Sequence, residues 1–309
     1  ALLAAIVVTA GTLSALFVND TICLVFTPVV LDIAAARRHR PLPYLLALAT
    51  ASNIGSVATI TGNPQNMLIG SLSGIAFSTF TARLLPVAVV GLAIDFAILW
   101  LLYRDDLHRR ADDEAGVRLV RPHRPLLIKA SLVTVGVLVG FLLGYPTALV
   151  AMTGAAALLI TRRVRPQRIY SAVDWDLLLL FVGLFVLVGA AERNGIAAWI
   201  FQQLQPLGLR TAAGLTATAA IISNAISNVP AVMLFTRLVP QMPDPTRAWL
   251  TLAMASTLAG NLTILGSIAN LIVVGGARRR GVTLGVVDYA RVGVPVTLAT
   301  LAFGAWWLS

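Results

Sequence analysis

Two short polar segments of similar sequence stand about 209 positions apart in otherwise apolar surroundings. Ser14 and Asn19 of the first segment correspond to Ser223 and Asn228 of the second. Hydroxyl and amide oxygens of Ser, Thr and Asn suit a hard cation such as Na⁺, whereas backbone amides at a helix start suit an anion. The paired segments therefore predict ion or substrate sites.

A second matching pair of polar segments follows in each half, at a constant offset of about 204 positions. Gly62 and Asn66 of the first half correspond to Gly266 and Asn270 of the second. Glycine supplies the backbone freedom that a break needs, and Pro64 cannot continue an upstream helix. We predict one broken helix in each half, with unpaired carbonyls and amides at the break.

The composition places these segments in a membrane. The chain is 58% hydrophobic and 12% charged, with a mean hydropathy of +0.86, whereas soluble domains carry about 25% charged residues. Apolar runs long enough to cross a bilayer recur along the whole length. The net charge of +10 lies in short loops between these runs, which indicates membrane topology rather than a nucleic-acid partner. The predicted partner is the lipid bilayer.

The positions of the arginines predict the topology. Basic loops are expected in the cytoplasm, and they comprise residues 37–40, 104–124, 162–168 and 278–280. This rule favours re-entrant hairpins of opposite orientation at residues 1–36 and 211–243. The predicted crossings are 42–70, 79–103, 126–143, 146–161, 174–191 and 249–276, with an interfacial helix at 195–201. The chain is thus predicted to be a multi-pass protein of the cell membrane.

The internal similarity divides the chain into two repeats. Residues 1–103 form the first repeat, and residues 104–125 form a cytoplasmic linker. Residues 126–309 form the second repeat, in which 126–210 are scaffold helices and 211–309 the transport part. By comparison with the second repeat, the first lacks roughly 85 residues of scaffold ahead of residue 1. The predicted fold class is an all-α polytopic membrane protein with inverted repeats, two re-entrant hairpins and two broken transmembrane helices.

Ionisable residues in apolar segments are functional candidates, because a charge inside a membrane is costly. Asp20 is predicted to carry a proton, to stand beside a cation, or to cap the following helix. Asp95 lies in a segment without a break, and we interpret it as a scaffold residue, with direct coupling as the alternative. Asp32 lies about one helical turn from Arg37, which predicts a local ion pair. The alternative interpretation of every polar segment is a patch for helix packing.

The chain resembles the ion transporter superfamily, which includes citrate and dicarboxylate symporters, arsenite efflux permeases and a class of sodium/proton antiporters. The resemblance rests on the two hairpin segments, on Gly62–Asn66, on Val173–Asp176 and on Tyr289–Pro295. It implies a scaffold domain and a moving transport domain, usually in a homodimer, that work by an elevator-type displacement.

The resemblance also implies the site residues. Sodium-coupled dicarboxylate members carry Ser-Asn-Thr at each hairpin tip, but here Asp20 and Val229 replace the Thr residues, so a dicarboxylate substrate is not favoured. The Na⁺ ligands implied are Ser14, Asn19, Ser223 and Asn228. The full candidate substrate- or ion-binding set is Ser14, Asn19, Asp20, Thr59, Gly62, Asn63, Asn66, Ser223, Ser227, Asn228, Thr263, Gly266, Ser267 and Asn270.

These features predict a secondary active transporter, an anion permease that moves a small anion or oxyanion coupled to Na⁺ or H⁺. The alternatives are a Na⁺/H⁺ antiporter and an arsenite efflux permease. An enzyme is not predicted, because Asp20 and Asp95 are the only intramembrane candidates for a polar dyad. The sequence has no phosphate-binding Gly-rich loop, and no cofactor beyond the coupling ion is expected.

Overall fold

The computed structural model describes residues 1–108, 124–160, 175–196, 199, 202–203 and 208–309. Residues 109–123 of the predicted linker, the basic cluster at 162–168 and most of the predicted interfacial helix lie outside the described residues. The helices are α1 Leu2–Leu16, α2 Asn19–Ala36, α3 Leu42–Ser56, α4 Pro64–Ser73, α5 Phe77–His108, α6 Arg124–Leu142, α7 Thr147–Leu159, α8 Trp175–Arg193, α9 Ala212–Ile226, α10 Asn228–Phe235, α11 Pro245–Ala259, α12 Ile268–Arg279 and α13 Val286–Trp307.

The described part of the chain has the features of an all-α membrane protein, as predicted. Helices α2, α5, α6 and α13 are long and apolar enough to cross a membrane. Large apolar side chains of α6, α7 and α8 are exposed, including Leu132, Met152 and Val186. Exposed apolar surface of this extent is expected where a protein faces lipid.

Helices α3 and α11 form the centre of the described structure. Nearly every residue of both helices is buried, which matches helices that lack a polar face. Helix α1 packs against α3, and α9 packs against α11. Helix α2 packs against α12, and α10 against α4. Helices α1 to α4 thus have counterparts in α9 to α12 with corresponding neighbours.

Ion pairs gather three basic segments at one end of the molecule. Arg40 lies 3.0 Å from Asp106 at the end of α5, and Arg280 lies 2.5 Å from Asp32 of α2. The predicted pairing of Asp32 with Arg37 is wrong, because the Asp32 carboxylate faces the end of α12 rather than its own helix. The segments that begin at Arg37, Arg104 and Arg278 therefore share one end.

The opposite end holds the start of α11 and the end of α13. Arg247 Nη1 donates to Ser309 O at 2.9 Å, and Trp307 Nε1 donates to Arg83 O at 3.0 Å. Helix α13 separates the two ends, and its 22 residues span about 33 Å at 1.5 Å per residue.

The crossing of α1 and α3 depends on glycine. A Cβ atom at Gly55 would lie 2.0 Å from the backbone oxygen of Gly11, so Gly55→Ala must force the two helices apart. We expect a loss of about 1–3 kcal/mol in unfolding free energy, seen as a lower melting temperature of the detergent-solubilised protein. The matched control is Gly275→Ala, where a Cβ meets nothing within 4 Å. An unchanged melting temperature for Gly55→Ala would contradict this close packing.

Candidate ion and substrate site

Both central helices end at an interruption with the same backbone geometry. Thr59 has φ −134° and ψ 159°, and Thr263 has φ −134° and ψ 161°. A short 3-10 turn follows each of them, at Ile60–Gly62 and Ile264–Gly266. The continuing helices α4 and α12 begin next, capped by the side chains of Asn63 and Ser267. The structure therefore has the two predicted breaks.

A single asparagine satisfies the carbonyl groups that each break releases. Asn66 Nδ2 donates to the backbone oxygens of Ser56 and Thr59, at 3.1 and 3.0 Å. Asn270 Nδ2 does the same in the second half, where it donates to Gly260 O at 2.8 Å and to Thr263 O at 3.1 Å. Buried carbonyls without such a partner would be costly. These amides therefore hold the breaks in shape.

The glycines at the breaks allow two stretches of backbone to approach each other closely, and they do not adopt an unusual φ. Neither Gly62 nor Gly266 has a positive φ, which corrects the prediction that they supply conformational freedom. A Cβ at Gly62 would lie 2.1 Å from Ser56 O, and one at Gly266 would lie 2.8 Å from Gly260 O. The chain folds back so tightly on the preceding helix that no side chain fits.

Each predicted hairpin turns between two helices over one or two residues. Phe17 and Val18 join α1 to α2 in an extended conformation. Ser227 joins α9 to α10 with φ 79° and ψ 159°, a region that residues other than glycine rarely adopt. Strain of this kind costs about 1–3 kcal/mol and is concentrated at functional sites.

Both turns and both breaks meet at one pocket of about 40 Å³, which is room for roughly three water molecules. Asp20 is the charged residue among those that line the pocket. None of the described lining residues is Arg, Lys or His. The lining residues are Asn19, Asp20, Pro64, Gln65, Leu184, Ser227, Asn228, Val229, Pro230, Ser267 and Ile268. The pocket is thus bounded by helix N-termini and neutral polar groups beside one carboxylate.

Asn53 connects the first turn to the second break. Its Oδ1 accepts from Asn19 Nδ2 at 2.9 Å and from Ser267 Oγ at 3.0 Å. Its Nδ2 donates to Asn261 Oδ1 at 2.8 Å and to Asn270 Oδ1 at 3.0 Å. Every polar atom of the Asn53 amide is therefore engaged, and residues from both halves depend on it.

Thr257 occupies the equivalent position in the second half. Its Oγ1 accepts from Asn63 Nδ2 and from Gln65 Nε2, both at 3.2 Å. The same hydroxyl lies 3.5 Å from Asn66 Oδ1. The contacts of Thr257 with the first break thus mirror those of Asn53 with the second break.

Three buried polar atoms beside the turns have no hydrogen-bond partner in the described part of the chain. They are Ser14 Oγ, Ser223 Oγ and Asn228 Oδ1. Ser14 and Ser223 lie at equivalent positions in the last turns of α1 and α9, and both are fully buried. An unpaired buried hydroxyl is costly, and here two of them occur at matching positions of the two halves.

The predicted site residues divide into two groups. The structure brings Asn19, Asp20, Ser227, Asn228 and Ser267 together at the pocket. The remaining candidates lie behind it: Ser14 and Ser223 in the helices, and Thr59, Gly62, Asn63, Asn66, Thr263, Gly266 and Asn270 in the breaks.

The predicted set omits Asn53, Gln65, Thr257 and Asn261. Asn53 contacts both groups, Thr257 contacts the first break, and Asn261 and Gln65 are hydrogen-bonded to Asn53 and Thr257 respectively. The offset of about 204 that pairs Gly62 with Gly266 also pairs Asn53 with Thr257. This offset could have identified Asn53 and Thr257 as equivalent site residues, although their side chains differ.

Comparison with known proteins identifies the family of this chain. A family model described as citrate transporter matches residues 1–259. The silicon efflux transporter LSI3 of Oryza sativa subsp. japonica is 33% identical, over 94% of this chain and 75% of its own. An uncharacterized transporter of Mycobacterium tuberculosis is 32% identical over 96% of this chain and 73% of its own. The putative transporter arsB of Dictyostelium discoideum is 24% identical over 94% and 72%. The chain therefore belongs to the citrate transporter family, within the ion transporter superfamily that its sequence resembles.

Proposed function

We propose that this protein is a secondary active transporter that moves a small oxyacid or oxyanion, coupled to Na⁺ or H⁺. The observation that carries the proposal is the pocket between two helix turns and two helix breaks. Broken helices that converge on one site are typical of secondary transporters, because their free amides and carbonyls can replace the hydration shell of an ion.

An inverted arrangement of the two halves is part of the proposal. Helix α2 leads from its turn to the end that holds the Asp32–Arg280 pair. The segment after α10 leads instead toward Arg247, which bonds Ser309 at the opposite end of α13. This difference supports two re-entrant hairpins that enter from opposite membrane faces. The basic end would then face the cytoplasm.

Each half offers a candidate site for a coupling cation. Next to Ser14, the carbonyl of Ala15 accepts a hydrogen bond from Thr59 of the first break. Next to Ser223, Asn224 Oδ1 accepts from Thr263 of the second break. In both halves, a buried hydroxyl without a described partner therefore lies one residue away from an oxygen that accepts a hydrogen bond from the break threonine. Clustered neutral oxygens suit Na⁺, and we propose Ser14 with Asn19, and Ser223 with Asn228, as its ligands.

The pocket favours a small substrate of low charge. Its only described charged lining side chain is the Asp20 carboxylate, which would repel a polyanion such as citrate unless bound cations offset the charge. A hydroxylated acid that is neutral near pH 7 could instead bond to the amides and hydroxyls. The name of the silicon efflux relative, LSI3, is consistent with silicic acid, and arsenous acid has similar chemistry.

Sodium/proton exchange is the second candidate function, and the position of Asp20 favours it. A carboxylate that lines the pocket beside Asn19 can bind either a proton or a cation, so the two ions could compete for it. Proton release on addition of Na⁺ to proteoliposomes without an oxyacid would support this alternative.

An elevator-type displacement completes the proposal. Leu184 of α8 lines the pocket opposite the two turns, and α8 contacts α10. We propose that the breaks and turns move together past the helices α6 to α8. Asn53 supports such joint motion, because its hydrogen bonds join the two halves.

Loss of the two buried hydroxyls tests the cation sites. Removing a hydrogen bond or ligand of a charged group costs about 1.5–3 kcal/mol. We therefore expect Ser14→Ala and Ser223→Ala each to raise the Na⁺ concentration for half-maximal transport about ten- to a hundredfold. Proteoliposome flux of silicic acid, arsenite, sulfate and citrate under separate Na⁺ and H⁺ gradients provides the measurement.

The matched control for the hydroxyl variants is Ser71→Ala, since Ser71 is exposed and bonds only Leu68 of its own helix. A sodium response unchanged in both site variants would contradict the proposed Na⁺ ligands. Flux that follows only the H⁺ gradient would exclude Na⁺ coupling. Absence of gradient-driven flux of any tested oxyacid would contradict the proposed function.

Replacement of Asn53 tests the connection between the two halves. Asn53→Ala removes the partners of Asn19 Nδ2, Asn261 Oδ1 and Asn270 Oδ1, so we expect a loss of about 2–4 kcal/mol in unfolding free energy. Denaturation of the detergent-solubilised protein gives this quantity. Asn194→Ala is the control, because its exposed amide bonds only its own helix. Equal stability of the two variants would show that the network around Asn53 is dispensable.

A further inference from the structure

A second buried carboxylate lies outside the pocket, in the middle of α5. Asp95 is completely buried. Neither of its carboxylate oxygens has a hydrogen-bond partner within the described residues. An ionised carboxylate without donors in an apolar interior costs several kcal/mol. The side chain must therefore hold a proton or a cation.

Helices α3 and α13 enclose this carboxylate. One turn before Asp95, Gly91 packs against Ile54 of α3 and Thr300 of α13. Helical register places Thr50, one turn before Ile54, beside the carboxylate, and the Thr50 hydroxyl interacts with it. Asp95 therefore lies against the central helix α3.

The hydroxyl groups nearby can accept a hydrogen bond from Asp95. Thr50 Oγ1 donates its own hydrogen to Leu46 O at 2.9 Å, so it offers a lone pair rather than a donor to the carboxylate. The hydroxyls of Tyr289 and Thr297, on the facing helix α13, are buried and have no partner in the described structure. Neither of these hydroxyls is hydrogen-bonded to the Asp95 carboxylate in the described structure, so the charge of a carboxylate would be left without compensation there, and burial favours the neutral carboxylic acid.

Charged groups that could neutralise Asp95 are missing from its described surroundings. Tyr289 of α13 is the titratable side chain that interacts with it, and no Lys, Arg or His of the described chain does so. Helix α1 has no ionisable side chain. On α6, Arg124 is exposed and Lys129 bonds backbone carbonyls, and Arg247 of α11 bonds Ser309.

A chain of hydrogen bonds leads from Thr50, beside Asp95, to the pocket. The backbone oxygen of Thr50 accepts from Asn261 Nδ2 at 3.2 Å, and Asn261 Oδ1 accepts from Asn53. Asn53 in turn accepts from Asn19, which lines the pocket. A change in the protonation of Asp95 would alter its contact with Thr50, and hence the first member of this chain.

We propose that Asp95 is a buried proton-binding site between α3, α5 and α13, separate from the pocket, that carries one proton in this conformation and couples proton movement to transport. The coupling role rests on the proposed transport function, whereas the bound proton does not. The site takes up a proton from water when it is exposed and releases the same proton on the other side, with no other bond made or broken.

Infrared spectroscopy of the reconstituted protein tests the bound proton directly. We expect the carbonyl band of a protonated, buried carboxylic acid in the wild type near pH 7, shifted in heavy water and absent from Asp95→Asn. Asp105→Asn is the control, because the Asp105 side chain is 88% exposed, and it should keep the band. A spectrum without a band that depends on Asp95, or a band removed by Na⁺ alone, would overturn the proposal.

The melting temperature and the transport flux of Asp95→Asn provide two further tests. Asn resembles the neutral acid, so we expect Asp95→Asn to keep the wild-type melting temperature and to lose the flux component driven by a proton gradient. A large fall in melting temperature would show that Asp95 is ionised and paired. Full proton-driven flux in Asp95→Asn would overturn the coupling role. The infrared band in a protein without oxyacid flux would support the proton site while contradicting the proposed function.

Discussion

A helix can be interrupted inside an apolar protein only if the protein itself satisfies the backbone groups that the interruption releases. Asn66 and Asn270 meet this constraint, because each donates both amide hydrogens to carbonyls of its own break. Glycine at positions 62 and 266 allows the chain to approach those carbonyls closely. The structure contains this arrangement twice, once in each half. The packing of the central helices and the pocket between them depend on both copies.

The same arrangement leaves a few polar atoms without partners, and their positions are not random. Ser14 and Ser223 lie one helix away from the breaks and match each other in the two halves. A helix that served only for packing would gain stability if Ala replaced such a serine, since the cost of burying the hydroxyl would vanish. These two hydroxyls are therefore the groups at which we propose that a coupling ion binds.

Local sequence patterns were sufficient to predict the helical membrane fold, the two breaks and the residues of the two turns. Proline and glycine mark a break directly, and the repeat offset confirms the pairing of Gly62 with Gly266. Contacts between distant segments could not be read in this way. Asp32 was assigned to Arg37 because they are neighbours in sequence, yet its partner Arg280 is set by the packing of α2 on α12. The environment of Asp95 was missed for the same reason, since three separate helices create it.

The differences between the halves indicate how one pocket could serve two ions. Asp20 of the first turn corresponds to Val229 of the second, so the pocket carries a charge on one side only. Asn53 corresponds to Thr257, and its additional donors tie the charged side to the second break. Asp95 also belongs to the first half and reaches the same network through Thr50 and Asn261. The pocket-lining and the buried carboxylate of the described structure thus both belong to the first half, whereas the matching hydroxyls occur in both halves. A proton and a sodium ion could therefore act at different places on one connected unit, because the first needs a carboxylate and the second needs only clustered neutral oxygens.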